Sequence, residues 1–303
     1  MSRFTGVEEI GFAPSRLVVS ELGPAGIKMP KGFTVTADAY QEFLRATSIR
    51  PFIAGELRRY RHGADPLAVG AAIRTAFAYA EMPSALGRAI SAAYQQLGGE
   101  GTPVVVRSAE TTFVEDHEIF LNVRTGRELF AACKRCFAVL FTDRAISLRE
   151  QNGVDHLSAT ISVGVQRMVR SDLAGSGSAE LLDGHIPGLV RVSAVWGLGD
   201  MLIGERVEPD EYLVLDARSE RPLITTRRGS KAMKVVCAEP RGIKAIRTEP
   251  AERQRLVLTD DEVVALARHT LTMSSRYGGR PLMIEWAKDG TTGDLYSLRH
   301  SRS

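Results

Sequence analysis

Several things are scarce in this chain. No apolar run is long: stretches such as CFAVLF (residues 136–141) fall far short of the roughly 20 residues that a bilayer-spanning helix needs, so no membrane span is expected. The opening residues MSRFTGVEEIGF lack a basic start followed by an apolar core, so the expected location is cytoplasmic. There are only three cysteines, an odd number that cannot close a disulfide framework. Cys133 and Cys136 form a C-x-x-C, but no second Cys/His pair stands at metal-binding distance. Both fall on a helical period with Leu129, Phe130, Phe137 and Leu140, so helix-core packing is expected and a redox motif is the lesser alternative. Lysine is scarce too. The net charge of +3 comes from 39 Lys and Arg, nearly all arginine, against 36 acids, and no basic cluster is interleaved with aromatics. Nothing therefore points to nucleic acid. Internal repeats and low-complexity tails are also missing.

At 303 residues the chain can bury a large core, and its length favours two domains or one large two-lobed one. The first half reads as helix-rich. A helix is expected to enter near Thr36, an alanine-rich helical stretch runs from Asp65 to Leu97 with a break at Pro83, a buried strand spans Pro103 to Ser108, and one long amphipathic helix is expected from about Arg127 to Arg149. After Gly153 the character changes. Apolar or alternating runs (TISVGVQRMV, GLVRVSAV, EYLVLD, PLITT, KAMKVV) separated by Gly, Pro and Asp turns predict a sheet. One strong helix interrupts it, with Thr259 as N-cap, Glu262 as its capping-box partner and Gly278-Gly279 at its end. The last segment predicts a hairpin turning at Asp289-Gly290.

The order of the local motifs is distinctive: MPKGFTVTADAY from Met29, VVVRSAE from Val104, EIFLNV from Glu118, FAVLFTDRAISLR from Phe137, GVQRMV from Gly164, WGLGD from Trp196, PDEY from Pro209 and IEWAKDG from Ile284. In this order and wording the chain resembles the nucleotide-binding domain of the phosphoenolpyruvate synthase and pyruvate phosphate dikinase family. That resemblance implies an α/β, ATP-grasp-like two-lobed fold, with a helix-rich lobe over residues 1–160, a sheet-rich lobe over 161–303 and a hinge near Gln166 to Val169. It also implies ATP with Mg2+ as cofactors and phosphoryl transfer as the chemistry.

Carried onto this sequence, the resemblance makes Arg107 a phosphate-contacting arginine, whose planar fork suits phosphate oxygens; the alternative is a structural arginine paired with an acid. Gln166, Met168 and Val169 fall where the family lines the adenine, or else form a plain core strand. Asp200, Asp210, Glu211 and Glu285 make an acidic set of the kind a hard cation wants, with Glu285 at the family's magnesium-ligand position; acids at strand ends are also common turn residues. Lys231, in GSKAMK, meets a phosphate or is an exposed strand lysine.

Other positions depart from the family. Ala13 stands where a phosphate-neutralising lysine is expected, the segment after Arg107 is shortened, and SGSAELL replaces a more apolar covering piece at residues 176–182. The closing Q-A-R of the family is Arg299, His300 and Ser301 here. A permanently charged arginine beside a metal position is a severe change, since two unit charges about 4 Å apart at an effective dielectric of ~20 interact by on the order of 4 kcal/mol. None of the six histidines sits in the family's phosphohistidine setting.

Three readings follow. The first is an ATP-dependent phosphotransferase acting on a small molecule, directly or through a separate phosphohistidine protein. The second is an enzyme of the same fold that has lost ATP chemistry and serves a specialised biosynthetic pathway. The third is an inert partner subunit.

Overall fold

A computed structural model of the protein describes residues 7–9, 26–109, 117–182, 186–199, 207–239 and 241–302. The chain divides into two compact units, one built on Lys31–Met168 and the other on Val169–Ser303, the latter taking in residues 26–30. The strand 163–167 is an interior member of the first unit's sheet.

Among the described residues, the first unit is an antiparallel five-stranded sheet with six α-helices. Its elements are β1 (Val7–Glu9), β2 (Gly32–Val35), α1 (Ala37–Ala46), α2 (Ile49–Arg61), α3 (Pro66–Tyr79), α4 (Ser84–Gln96), β3 (Val104–Ser108), β4 (Ile119–Val123), α5 (Gly126–Ala138), α6 (Asp143–Gln151) and β5 (Val163–Arg167). The strand order is β1-β2-β5-β3-β4. Thr36 caps α1 by accepting from the Ala39 amide, as its side-chain type predicts.

The single helix expected over 127–149 is two. The chain tightens into a 3-10 turn at Val139–Phe141, and Thr142 starts α6 afresh by accepting from the Ala145 amide at 3.2 Å. A capping threonine in mid-pattern overrides the continuing apolar period. Tyr40, Phe43, Phe77, Phe137 and Phe141 form a continuous aromatic cluster with centroid separations of 5.3–6.4 Å. Cys133 and Cys136 are sealed into the same core, and burial pushes the Cys133 thiol up to about 12. They are packing residues, as the helical period indicated.

The second unit contains β6 (Gly175–Leu181), β7 (Val190–Trp196), β8 (Asp210–Leu215), β9 (Leu223–Arg227), β10 (Met233–Cys237), β11 (Ile243–Arg247), α7 (Pro250–Arg253), α8 (Asp260–Arg276), β12 (Leu282–Lys288) and β13 (Leu295–Arg302). Six of its strands form one antiparallel sheet in the order β13-β12-β6-β7-β8-β9, while β10 and β11 make a separate hairpin. Both halves of the α8 capping box are present: the Glu262 amide reaches Thr259 Oγ1, and the Thr259 amide reaches the Glu262 carboxylate at 2.9 Å. Helix α8 packs on β6, β7, β8 and β12, and the core beneath it holds Val192, Tyr212, Val214, Val263, Leu266 and Trp286.

Strand β6 was not apparent from its glycine- and serine-rich wording. Gly177 explains the wording, because a Cβ there would stand 2.0 Å from the Ser193 carbonyl oxygen of β7. Only glycine permits the close approach. Among the described residues no helix is long and apolar enough to cross a membrane.

Candidate functional site

In the first unit the site residues lie on adjacent strands. Arg107 sits near the end of β3 opposite Gly164, and Gln166 sits on the same face two residues along β5. The Arg107 Nη2 donates to Gln166 Oε1 at 2.8 Å, and both side chains are buried. A buried guanidinium held by an amide acceptor is fixed in orientation, the condition for bidentate recognition of an oxyanion. Gln166 therefore acts through its side chain on Arg107, a link that spacing alone does not reveal. Met168 is buried just beyond β5; its amide donates to the Pro103 carbonyl at 2.9 Å, and its sulfur accepts from the Asn122 amide. Val169, also buried, opens the second unit.

In the second unit the decisive feature is the face of the six-stranded sheet opposite α8. Strand alternation and register place Arg299, Glu285, Ser178, Ser193, Glu211 and Arg227 in one row across β13, β12, β6, β7, β8 and β9. The row is polar throughout. Arg299 Nη1 lies 3.6 Å from Glu285 Oε1, with both side chains four-fifths buried, and burial pulls the Arg299 guanidinium below its usual pKa. At the other end Glu211 Oε2 accepts from Arg227 Nη2 at 2.8 Å and from Nε at 3.1 Å. One row along, Glu180 pairs with Arg191 at 2.5 Å, while Ala179 faces the core between them. The replaced covering segment thus forms a strand whose polar members face the row.

Three expected roles look different in this setting. Lys231 is neither exposed nor on a strand: it is fully enclosed, at φ +42°, and its ammonium is bonded to Asp210, itself fully enclosed. The Asp210 carboxylate also accepts from the Gly229 amide at 2.9 Å and the Val257 amide at 3.0 Å. The pair is an internal brace, buried because a lone charge there is too costly to leave unmatched. Asp210 and Glu211, neighbours in sequence, point to opposite faces of the sheet. His300 also turns away from Glu285. Strand alternation puts His300, opposite Ile284, on the α8 side, and the bulge between Glu285 and Trp286 brings Ser297 to that side as well, where His300 Nε2 lies 2.8 Å from Ser297 Oγ and its ring 6.0 Å from that of His269. Burial, then the nearby His269, hold the His300 imidazole down at about 4. Ser301 follows on β13, opposite Met283. Ala13 and Asp200 lie outside the described residues.

Magnesium carried on nucleotide phosphates needs only one or two carboxylates, so a full cage is not required of the described residues. These residues contain no group of three or more His, Cys, Asp or Glu side chains able to hold a metal, and the acid at the expected ligand position already faces an arginine. A hard dication wants several oxygens, whereas Arg299 presents only donors.

Taken together, the antiparallel sheets and the ordered motifs define an ATP-grasp nucleotide-binding fold. The chain belongs to the family described as pyruvate phosphate dikinase, AMP/ATP-binding domain, whose model matches residues 15–300. It is similar to phosphoenolpyruvate synthase of Deinococcus radiodurans, 36% identical over 98% of this chain and 40% of that one. Similar proteins of the same name occur in Pseudomonas aeruginosa, at 36% identity over 97% of this chain and 40% of the relative, and in Escherichia coli K12, at 36% over 93% and 38%. The chain thus spans about two fifths of the length of these curated relatives.

Proposed function

We propose that this chain binds an adenine nucleotide and acts as an ATP-dependent phosphotransferase toward a small molecule, directly or through a separate phosphohistidine protein. The observation that carries this reading is Arg107: a buried guanidinium at a strand end, oriented by Gln166, in a chain of an AMP/ATP-binding family. Such a fork supplies fixed positive charge to phosphate oxygens, and its pre-orientation means that little ordering is needed when they arrive. Arg107→Lys tests the fork apart from the charge. The expected result is a loss of ATP affinity of about tenfold or more, the scale of a charge-assisted hydrogen bond, measured at a temperature where both variant and parent are folded. Equal ATP affinity in Arg107→Lys and Arg107→Ala variants that match the parent protein would end this reading.

A second reading is favoured by one observation. The Arg299–Glu285 pair places an arginine against the acid through which the family's metal would act. This supports an enzyme of the same fold that has lost ATP chemistry and uses its site on a small molecule. The two readings separate on turnover, because only the first predicts ADP or AMP released in proportion to a phosphorylated product.

A further inference from the structure

A pocket beside the Lys231–Asp210 pair carries a site of its own. It lies in the second unit between the turn that follows β9 and the short helix α7, has a volume of about 250 Å³, and is lined by Arg228, Gly229, Ser230, Pro250, Arg253 and Gln254. Its walls hold each other. Arg228 Nη1 donates to the Gln254 carbonyl at 2.9 Å, and Arg253 Nε donates to the Ser230 carbonyl at 2.9 Å, so each arginine is tethered to the opposite wall. Both walls are also fastened to one buried carboxylate, since Asp210 accepts from Gly229 on one side and Val257 on the other. Gly229 has no room for a side chain, as a Cβ would meet the Pro209 carbonyl oxygen at 2.1 Å.

The charge in the pocket is one-sided. The acid on α7, Glu252, is engaged by Lys234 at 2.6 Å, and the acids near β9, Glu208 and Glu211, are engaged by Arg227. Among the described residues neither Arg228 nor Arg253 forms an ion pair with a carboxylate. Each uses one nitrogen on a backbone carbonyl and keeps its other nitrogens available. Two guanidiniums anchored across a concavity match a tetrahedral dianion, which accepts several charge-assisted hydrogen bonds at once.

We propose that the Arg228–Arg253 pocket binds the phosphate group of a small phosphomonoester, or free phosphate. The volume admits a phosphate with a body of a few carbon atoms. The site does not depend on the nucleotide reading, for it uses neither Arg107 nor the Glu285 row.

The test is calorimetric titration of the parent protein with inorganic phosphate, with ribose 5-phosphate and with chloride at matched ionic strength. The titrations are repeated on Arg228→Gln/Arg253→Gln and on Arg228→Lys/Arg253→Lys. Saturable one-site binding of phosphate in the parent, weakened about a hundredfold in the Gln double variant and by a smaller factor in the Lys variant, is the expected result. Tighter binding of ribose 5-phosphate than of phosphate would assign the site to a phosphomonoester, and equal binding to free phosphate. Both arginines are exposed, so the variants should melt with the parent. A phosphate response equal to that of chloride, or one retained in the Gln double variant, would overturn the proposal.

Discussion

The buried Lys231–Asp210 pair allows a quantitative prediction. Both side chains have no exposure, and the carboxylate gathers the lysine ammonium, the Gly229 amide and the Val257 amide. Lys231→Met removes one charge and leaves the other enclosed with two neutral donors. Breaking a buried pair in this way costs about 3–5 kcal/mol. Replacing both partners, as Lys231→Met with Asp210→Asn, removes the stranded charge. An asparagine has one carbonyl oxygen, however, so one of the two amides loses its acceptor, at about 1–3 kcal/mol. The double variant should therefore be more stable than the lysine single variant, a sign reversal that independent sites cannot give. Urea unfolding followed by tryptophan fluorescence is the suitable assay, because Trp196 and Trp286 both lie in the second unit and report on it. A Lys231→Met protein within about 1 kcal/mol of the parent would refute the reasoning, since surface substitutions alone reach that range.

Two further outcomes follow from buried groups. His300 is held neutral at about 4 in the folded protein against an ordinary value of 6.5, so unfolding takes up a proton as pH falls through that window. Its contribution is complete above pH ~6.5, is lost toward pH ~4, and amounts to at most about 3 kcal/mol. His300→Phe should flatten the stability profile between those limits, as read by urea midpoints at several pH values, and an unchanged slope would contradict this. A disulfide exchange reagent at pH ~8 should label Cys237, which is partly exposed, well before Cys133 and Cys136, whose thiols burial keeps protonated; equal rates for all three would show that the α5 core opens freely.

Much of the architecture was legible because local chemistry and tertiary packing agree. The α8 capping box, the break at Pro83 between α3 and α4, the cap at Thr36 and the final hairpin all follow from residue types with one dominant conformational use. The elements that escaped notice carry conflicting local signals. Helix α2 includes Pro51 and Gly55, which read as breakers. Pro51 is nonetheless tolerated in the first turn, where its missing N–H has no intrahelical partner to lose. Strand β6 reads as a loop until the close approach of β7 at Gly177 is known.

For the site, the residue types at Arg107, Glu285 and Arg299 were readable, and so was the electrostatic conflict between the last two. Partner choice was not. That Gln166 would hold Arg107, that Lys231 would fold inward onto Asp210, and that a bulge would bring Ser297 onto the face of His300 depend on strand register and on backbone conformations such as the positive φ of Lys231. Periodicity does not encode these.

The central claim is that this chain keeps the nucleotide-binding fold while Arg299 faces Glu285, the acid that the family resemblance places at a metal-ligand position. The most direct test is calorimetric titration of ATP into the parent protein with and without magnesium, beside the same titration of Arg299→Gln. The account predicts weak binding by the parent, with a Kd above roughly 100 µM, or less than about 6 kcal/mol of binding free energy, that changes less than about threefold when magnesium is added. Arg299→Gln should gain magnesium dependence as Glu285 is released. Tight ATP binding by the parent that requires magnesium would contradict this account of Arg299 and favour the phosphotransferase reading over the one that has lost ATP chemistry.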